Sequence, residues 1–209
     1  MSSENLTRLL LVRHAEVEVR YQKIFGGTID MNLSPRGLEQ AQMLAKFLGG
    51  KKMDAIYASP MKRVQQTLAA VLKNSCAPSQ TILPDLREVD FGGWTGLNWE
   101  QVCVKFNLLT HEWLDHIERG VAPNGESGPK FRQRVEPCVR KIISENSGKT
   151  VGIFCHGGVI RMILAILLEL PLPRTNMFEV EYASVTQIAL RPQHAEIELL
   201  NFTPWRDLS

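Results

Sequence analysis

The chain has 209 residues, 44% of them hydrophobic, and a formal net charge of +2. This length and apolar content suffice for one core, and we expect residues 1–209 to form a single domain. No block rich in lysine or arginine is present, which argues against a nucleic-acid or membrane-lipid partner. The apolar run Leu9 to Val12 is too short for the core of a signal peptide, and no run approaches the roughly 20 residues of a membrane span. We therefore expect a cytoplasmic protein.

The first part of the chain alternates strands and helices. A buried strand is predicted over Arg8 to Val12, and Ser34-Pro35 then predicts a helix start with Ser34 as its N-cap. The apolar stripe of this helix consists of Leu38, Ala41, Leu44, Ala45 and Leu48, before Gly49-Gly50. A second strand over Ala55 to Ala58 leads to Ser59-Pro60, which repeats the Ser-Pro start. The apolar residues of the helix predicted there are Val64, Leu68, Val71 and Leu72.

The middle of the chain is rich in loops, with turns predicted at Gly92-Gly93 and Gly125. The helices predicted around them span Asn98 to Phe106, Leu109 to Ile117 and Pro129 to Ser144. A third buried strand, Val151 to Cys155, precedes an apolar helix that begins at Gly157-Gly158 and runs to Leu168. Two late strands are predicted over Ser184 to Leu190 and Glu196 to Leu200. This alternation predicts an α/β sandwich of three layers, with a mostly parallel central sheet and helices on both faces.

Basic residues and histidines follow three of the predicted strands. Arg13-His14 follows the first, Ser59 to Arg63 follows the second, and His156-Gly157-Gly158 follows the third. Open α/β sheets bind ligands beyond the carboxyl ends of their strands, where helix N-termini also favour anions. We therefore expect two arginines and two histidines to converge on a phosphate site at this edge.

A histidine after a buried strand is, taken alone, more often structural than catalytic. Two at matching positions, each with a nearby arginine, favour catalysis. A neutral imidazole is a competent nucleophile toward phosphorus, and arginine matches phosphate oxygens bidentately.

The cysteines allow a second interpretation of the same edge. Four cysteines, Cys76, Cys103, Cys138 and Cys155, are scattered along the chain, and we expect reduced, mostly buried thiols. Cys155 to Arg161 nevertheless fits C-x5-R, the phosphate loop of cysteine-dependent phosphatases, with Cys155 as the thiolate. That alternative leaves Arg13, His14, Arg63 and Glu88 without a role.

An ordered set of motifs resembles the histidine phosphatase superfamily, whose fold is called phosphoglycerate-mutase-like. The motifs in this sequence are Leu11 to Glu16 (LVRHAE), Asn32 to Gly37, Ala58 to Arg63, Leu86 to Gly96, Asn124 to Ser127 and His156 to Arg161. Relatives usually have glycine at the position of Ala15, a small departure. The matches cover residues 9 to about 165 in order, which makes the set far more specific than a lone Arg-His pair.

The resemblance implies a role for each site residue. It implies that His14 is the nucleophile and becomes phosphohistidine, that Arg13, Arg63 and His156 grip the phosphoryl oxygens beside Gly157, and that Glu88 protonates the leaving group. It also implies that the reaction needs no cofactor. No metal ligands are expected either, since His111 and His116 lie five residues apart on a predicted helix, a poor spacing for one metal.

Two departures from the family pattern bear on the substrate. Arg20 stands where many relatives carry an asparagine that touches substrate, so it either contacts the leaving group or is a solvated loop arginine. The segment from Trp94 to Gly125 is short and offers only Arg119, whereas cofactor-dependent mutases carry a longer segment with an Arg-Arg pair. This difference favours a phosphatase over the two alternatives, a phosphoglycerate mutase and a non-catalytic binding protein on the same fold. We expect a small phosphate ester as substrate and a monomer or homodimer.

Overall fold

The computed structural model describes residues 6–73, 78, 80–108 and 112–208. Its strands are β1 Thr7–Arg13, β2 Ala55–Ala58, β3 Gln80–Ile82, β4 Thr150–Cys155, β5 Val185–Leu190 and β6 Ala195–Phe202. Its α-helices are α1 Pro35–Gly49, α2 Lys62–Lys73, α3 Trp99–Phe106, α4 Trp113–Glu118, α5 Gly128–Glu145, α6 Gly157–Leu167 and α7 Pro204–Asp207. Short 3-10 turns lie at Val19–Tyr21, Pro84–Leu86, Gly92–Trp94 and Leu172–Met177. Cys76 and residues 109–111, with His111, lie outside the described residues.

The six strands form one sheet in the order β3-β2-β4-β1-β5-β6. The first four are mutually parallel, whereas β5 runs antiparallel to both β1 and β6. This confirms the predicted mostly parallel sheet. Arg13 at the end of β1 is level with Cys155 at the end of β4, and Ala58 in β2 is level with Phe154. The residues that follow these strands therefore start side by side at one edge.

Each face of the sheet carries its own apolar core, as the three-layer prediction requires. Leu9 and Leu11 of β1 face the core beneath α5 and α6, whereas Leu10 and Val12 face the core beneath α1 and α2. Side chains alternate across a strand, so β1 supplies both cores at once. This double burial explains its nearly continuous apolar sequence.

The structure corrects three details of the predicted helices and strands. Helix α2 begins at Lys62, so Ser59 is not its N-cap, unlike Ser34, whose Oγ accepts a hydrogen bond from the Gly37 N–H at 2.9 Å. Leu38 is 51% exposed because Gly37, packed against the Glu16 backbone, takes the inner position of that turn. Strand β3 was not predicted, since all three of its residues are exposed and give no apolar pattern.

Among the described residues, no helix has both the length and the apolar content needed to cross a membrane.

Candidate active site

His14 is buried at the end of β1 with its ring orientation fixed. Its backbone N–H donates to the Cys155 carbonyl at 3.1 Å, and its Nδ1 lies 2.8 Å from the Ala15 carbonyl. The Ala15 N–H in turn donates to Thr67 Oγ1 at 2.9 Å. Because a carbonyl can only accept, Nδ1 carries the proton and Nε2 keeps its lone pair. His14 therefore presents the tautomer that a nucleophile requires.

The surroundings of His14 keep its ring neutral. Its pKa is held well below the ordinary value of 6.5, first by burial and then by the positive charges of Arg63 and Arg13. Burial removes the water that would stabilise an imidazolium, and nearby cations repel the added charge. At neutral pH the His14 ring could therefore act as a nucleophile without first losing a proton.

Arg63 and His156 form a connected pair behind His14. Arg63 Nε donates to His156 Nδ1 at 3.1 Å, while Nη1 and Nη2 donate to the carbonyls of Ile29 and Gly27 at 2.8 and 3.1 Å. His156 Nε2 lies 2.8 Å from Ser59 Oγ. Since Nδ1 accepts, Nε2 carries the proton and donates to Ser59. His156 is fully buried, and burial together with Arg63 lowers its pKa well below the ordinary value.

Arg13 has one buried donor that no described residue satisfies. Its Nη1 donates to the Val180 carbonyl at 2.5 Å and its guanidinium lies 4.1 Å from the ring centre of Tyr182, but Nε has no hydrogen-bond partner. A Cβ built on Gly157 would lie 3.5 Å from that Nε. A buried N–H without a partner is costly, so this donor is suited to a bound anion.

Glu88 is held at the N-terminus of α6. Its Oε2 accepts from the Gly158 N–H at 3.3 Å and its Oε1 from the Val89 N–H at 3.0 Å. A Cβ on Gly158 would lie 2.4 Å from Oε1, so only glycine leaves room for this carboxylate. With these contacts, Glu88 lines the cleft described below.

An ion pair fixes the loop that carries Glu88. Arg134 on α5 pairs with Glu126 at 2.7 Å and donates to the backbone carbonyls of Asp85 and Arg87 at 2.7 and 3.0 Å. Glu126 also accepts from the Asp90 N–H at 2.9 Å. The Gly-Glu-Ser turn that contains Glu126 thus supports the Glu88 loop and lies outside the cleft lining.

A cleft of about 220 Å³ brings most of the predicted site together. Arg13, His14, Arg63, Glu88 and Gly157 all line it. His156 lies behind the lining, with its ring centre 5.3 Å from that of His14.

Arg20 is not brought into the cleft. It is exposed and pairs with Glu18 at 3.4 Å, while the neighbouring Tyr21 lines the cleft instead. The structure therefore favours the solvated loop arginine over contact with the leaving group.

The cysteine alternative is wrong. Cys155 is fully buried in the core beneath α6, does not line the cleft, and has its pKa strongly raised by burial. Arg161 uses Nη1 to hold the carbonyls of Thr175 and Phe178. A protonated thiol without access to the cleft cannot attack phosphorus.

Sequence reasoning missed three residues that support the site. Ser59 and Thr67 anchor His156 and the His14 loop, and Tyr182 packs its ring 5.6 Å from that of His14. Ser59 stands within the matched motif Ala58 to Arg63, but nothing local indicates its contact with His156. Thr67 lies one helical turn after Arg63 and donates to the Arg63 carbonyl at 2.7 Å. Tyr182 is oriented by Ala183, whose φ of +52° lies in the left-handed region and whose N–H donates to the His14 carbonyl at 3.1 Å.

No group of three His, Cys, Asp or Glu side chains within the described residues is arranged to hold a metal ion. Independence from metals remains a prediction about the reaction.

Comparison with known proteins places the chain in a family. The profile described as "Histidine phosphatase superfamily (branch 1)" matches residues 9–203. The chain is 28% identical to the adenosylcobalamin/α-ribazole phosphatase of Escherichia coli (strain K12), over 93% of this chain and 95% of that protein. It is 27% identical to a metal-independent phosphoserine phosphatase of Arabidopsis thaliana, over 98% and 83% of the two chains. The crystal structure of the α-ribazole phosphatase from Shigella flexneri superposes with a TM-score of 0.81 at 27% identity, covering 94% of this chain and 96% of that one. The chain belongs to the histidine phosphatase superfamily, branch 1.

Proposed function

We propose that this phosphatase is a metal-independent phosphomonoesterase that hydrolyses a small phosphorylated metabolite through a phosphohistidine on His14. The observation that carries the proposal is the state of His14, a neutral ring whose Nε2 lone pair is free beside two guanidinium groups. The relatives named above are phosphatases, which supports hydrolysis over a mutase reaction.

The first step transfers the phosphoryl group to the enzyme. His14 Nε2 forms a bond to phosphorus while the bond from phosphorus to the ester oxygen breaks. The leaving alkoxide takes a proton from the Glu88 carboxyl and departs as an alcohol. General acid catalysis of this kind contributes roughly 10²–10⁴-fold.

The second step returns the enzyme to its starting state. A water molecule attacks the phosphohistidine, Glu88 accepts its proton, and the bond between phosphorus and Nε2 breaks to release inorganic phosphate. His14 regains its lone pair, and Glu88 is again protonated for the next substrate.

Positive groups stabilise the charge on the transferring phosphoryl group. Arg13 contributes its unsatisfied Nε, and the Arg63 guanidinium is a second cation. Gly157 brings the N-terminus of α6 beside them. Phosphoryl transfer depends mainly on positioning and charge neutralisation. These groups can supply both without a metal ion.

We propose that the main role of His156 is to position Arg63. Both of its ring nitrogens already have partners, Arg63 and Ser59, so it acts on the cleft through the orientation of Arg63. Direct contact with the phosphoryl group requires Nε2–H to exchange Ser59 Oγ for a phosphoryl oxygen.

The proposal is tested with two variants assayed on p-nitrophenyl phosphate. His14→Ala is expected to remove nearly all turnover, because no other group can form the intermediate, whereas Cys155→Ala keeps activity within a few-fold. Activity is expected to survive EDTA. We also expect no mutase turnover of 3-phosphoglycerate in the presence of 2,3-bisphosphoglycerate. An active His14→Ala enzyme, or turnover that needs added Mg²⁺ or Zn²⁺ after chelation, would overturn the proposal.

A further inference from the structure

One wall of the active-site cleft is apolar and aromatic. The charged groups Arg13, Arg63 and Glu88 surround His14, as described above. The side chains that form the wall are Tyr21, Ile24, Phe25, Met31, Phe91 and Trp113. The phosphoryl group is held by the charged part, so the wall is the surface available to the leaving group.

The wall is formed before substrate binds. Phe25 packs against Phe91 and Trp113 with ring centres 4.8 and 6.0 Å apart, and Phe91 packs against Trp113 at 5.8 Å. Trp94, fully buried, supports Phe25 from behind at 5.4 Å. Such a preformed apolar surface binds a complementary ring without first having to order its own side chains.

The backbone also fixes this wall. The Phe25 N–H donates to the Leu97 carbonyl and the Phe25 carbonyl accepts from the Gly96 N–H, both at 2.9 Å. Phe25 is therefore tied at both of its backbone groups to the segment that carries Trp94 and leads into α3.

The aromatic wall offers no cation to a second anionic group on the substrate. Within the described lining the cations are Arg13, Arg63 and Arg161. All three nitrogens of Arg63 donate to protein groups, and Arg161 Nη1 holds two backbone carbonyls. None of the six wall side chains carries a charge, so a carboxylate placed against them would lose water without gaining an ion-pair partner from the wall, which is costly.

We propose that the preferred substrates are phosphate monoesters of an apolar, ring-containing alcohol without a carboxylate. This inference rests on the proposed function and adds the chemical class of the leaving group. Burial of one phenyl ring against the wall is expected to raise kcat/KM about 10- to 100-fold over an ester that has no ring.

The test compares three esters that all release a primary alkoxide, so that the leaving groups resemble one another chemically. We expect kcat/KM to fall from 2-phenylethyl phosphate to ethyl phosphate and further to O-phosphoserine. Trp113→Ala is expected to reduce the ratio of kcat/KM for 2-phenylethyl phosphate over ethyl phosphate at least fivefold, while Trp113→Phe keeps most of it. Val104→Ala, at an 87% exposed position on α3, serves as the surface control.

A gain of activity gives an independent readout should Trp113→Ala fold poorly. Ile24→Arg places a cation in the wall and is expected to raise kcat/KM for O-phosphoserine relative to ethyl phosphate. Hydrolysis of O-phosphoserine by the wild type as fast as 2-phenylethyl phosphate would overturn the inference and leave the proposed phosphatase intact. Failure of all three esters and of p-nitrophenyl phosphate would instead remove the proposed function.

Discussion

At the residue scale, the proposed mechanism depends on where the protons of His14 and Glu88 reside. His14 must keep Nε2 free, and the Ala15 carbonyl secures this by holding the proton on Nδ1. Glu88 must deliver a proton to an oxygen in the same cleft, and the N-terminus of α6 fixes its carboxyl there.

The variant Glu88→Gln tests whether Glu88 protonates the leaving group. An alkoxide needs a proton to leave, whereas p-nitrophenolate leaves without help. We expect kcat/KM to fall roughly 10²–10⁴-fold on an alkyl phosphate and much less on p-nitrophenyl phosphate. The matched control is Glu100→Gln, the same change at an exposed position on α3. Equal losses on the two substrates would show that Glu88 is not the leaving-group acid.

Two Ser-Pro pairs show how one motif serves different purposes at the element scale. Ser34 caps α1 by accepting from the Gly37 N–H. Ser59 precedes a helix that starts at Lys62, and its hydroxyl accepts from His156 Nε2 instead. The first serine therefore stabilises a helix, and the second positions a histidine that holds Arg63.

A pair of alanine substitutions separates these purposes. Ser34→Ala is expected to lower the free energy of unfolding by about 1 kcal/mol and to leave kcat unchanged. Ser59→Ala leaves the buried His156 Nε2–H without an acceptor, and we expect kcat to fall roughly tenfold. The ¹⁵N chemical shift of His156 Nε2 should change in Ser59→Ala only. Full activity of Ser59→Ala with an unaltered His156 shift would contradict this assignment.

Ser34 and Ser59 show which features could be predicted from the sequence and which could not. Strands that are buried on both faces, and a serine that caps the helix directly after it, leave local patterns, so β1, β4 and the start of α1 could be predicted. The contact of Ser59 with His156 joins residues 97 positions apart, and no local pattern records it. The exposed strand β3 lacks an apolar pattern altogether.

At the scale of the whole molecule, the carboxyl ends of β1, β2 and β4 bring His14, Arg63 and His156 together. The rule that ligands bind beyond strand ends predicted this convergence from sequence. The aromatic wall was beyond prediction, because Phe25, Phe91 and Trp113 come from three separate loops and helices. Trp94 is fully buried behind this wall, whereas Trp113 lines the cleft.

Two neutral buried histidines couple folding to pH. The folded pKa values of His14 and His156 lie below the unfolded value, so the unfolded chain binds more protons once pH falls below about 6.5. We expect the free energy of unfolding to be highest above this pH and to fall as pH decreases, by up to about 1.4 kcal/mol per pH unit for each histidine.

Urea unfolding between about pH 5.5 and 7.5 measures this slope, in a range where most carboxylates stay ionised. His14→Gln is expected to reduce the slope, whereas His194→Gln, at an exposed position, leaves it unchanged. Stability that stays constant or rises as pH falls would contradict the neutral state of the two buried rings.

The phosphohistidine mechanism is tested most directly by trapping the intermediate. The enzyme is mixed with ³²P-labelled p-nitrophenyl phosphate, quenched in alkali within milliseconds, and digested for mass spectrometry. We expect the label on the peptide that contains His14, in an acid-labile and alkali-stable linkage, and none in His14→Ala. Glu88→Gln is expected to accumulate more labelled enzyme, because the water that removes the phosphoryl group has lost its base. Label on Cys155 or on any residue other than His14 would contradict the phosphohistidine mechanism.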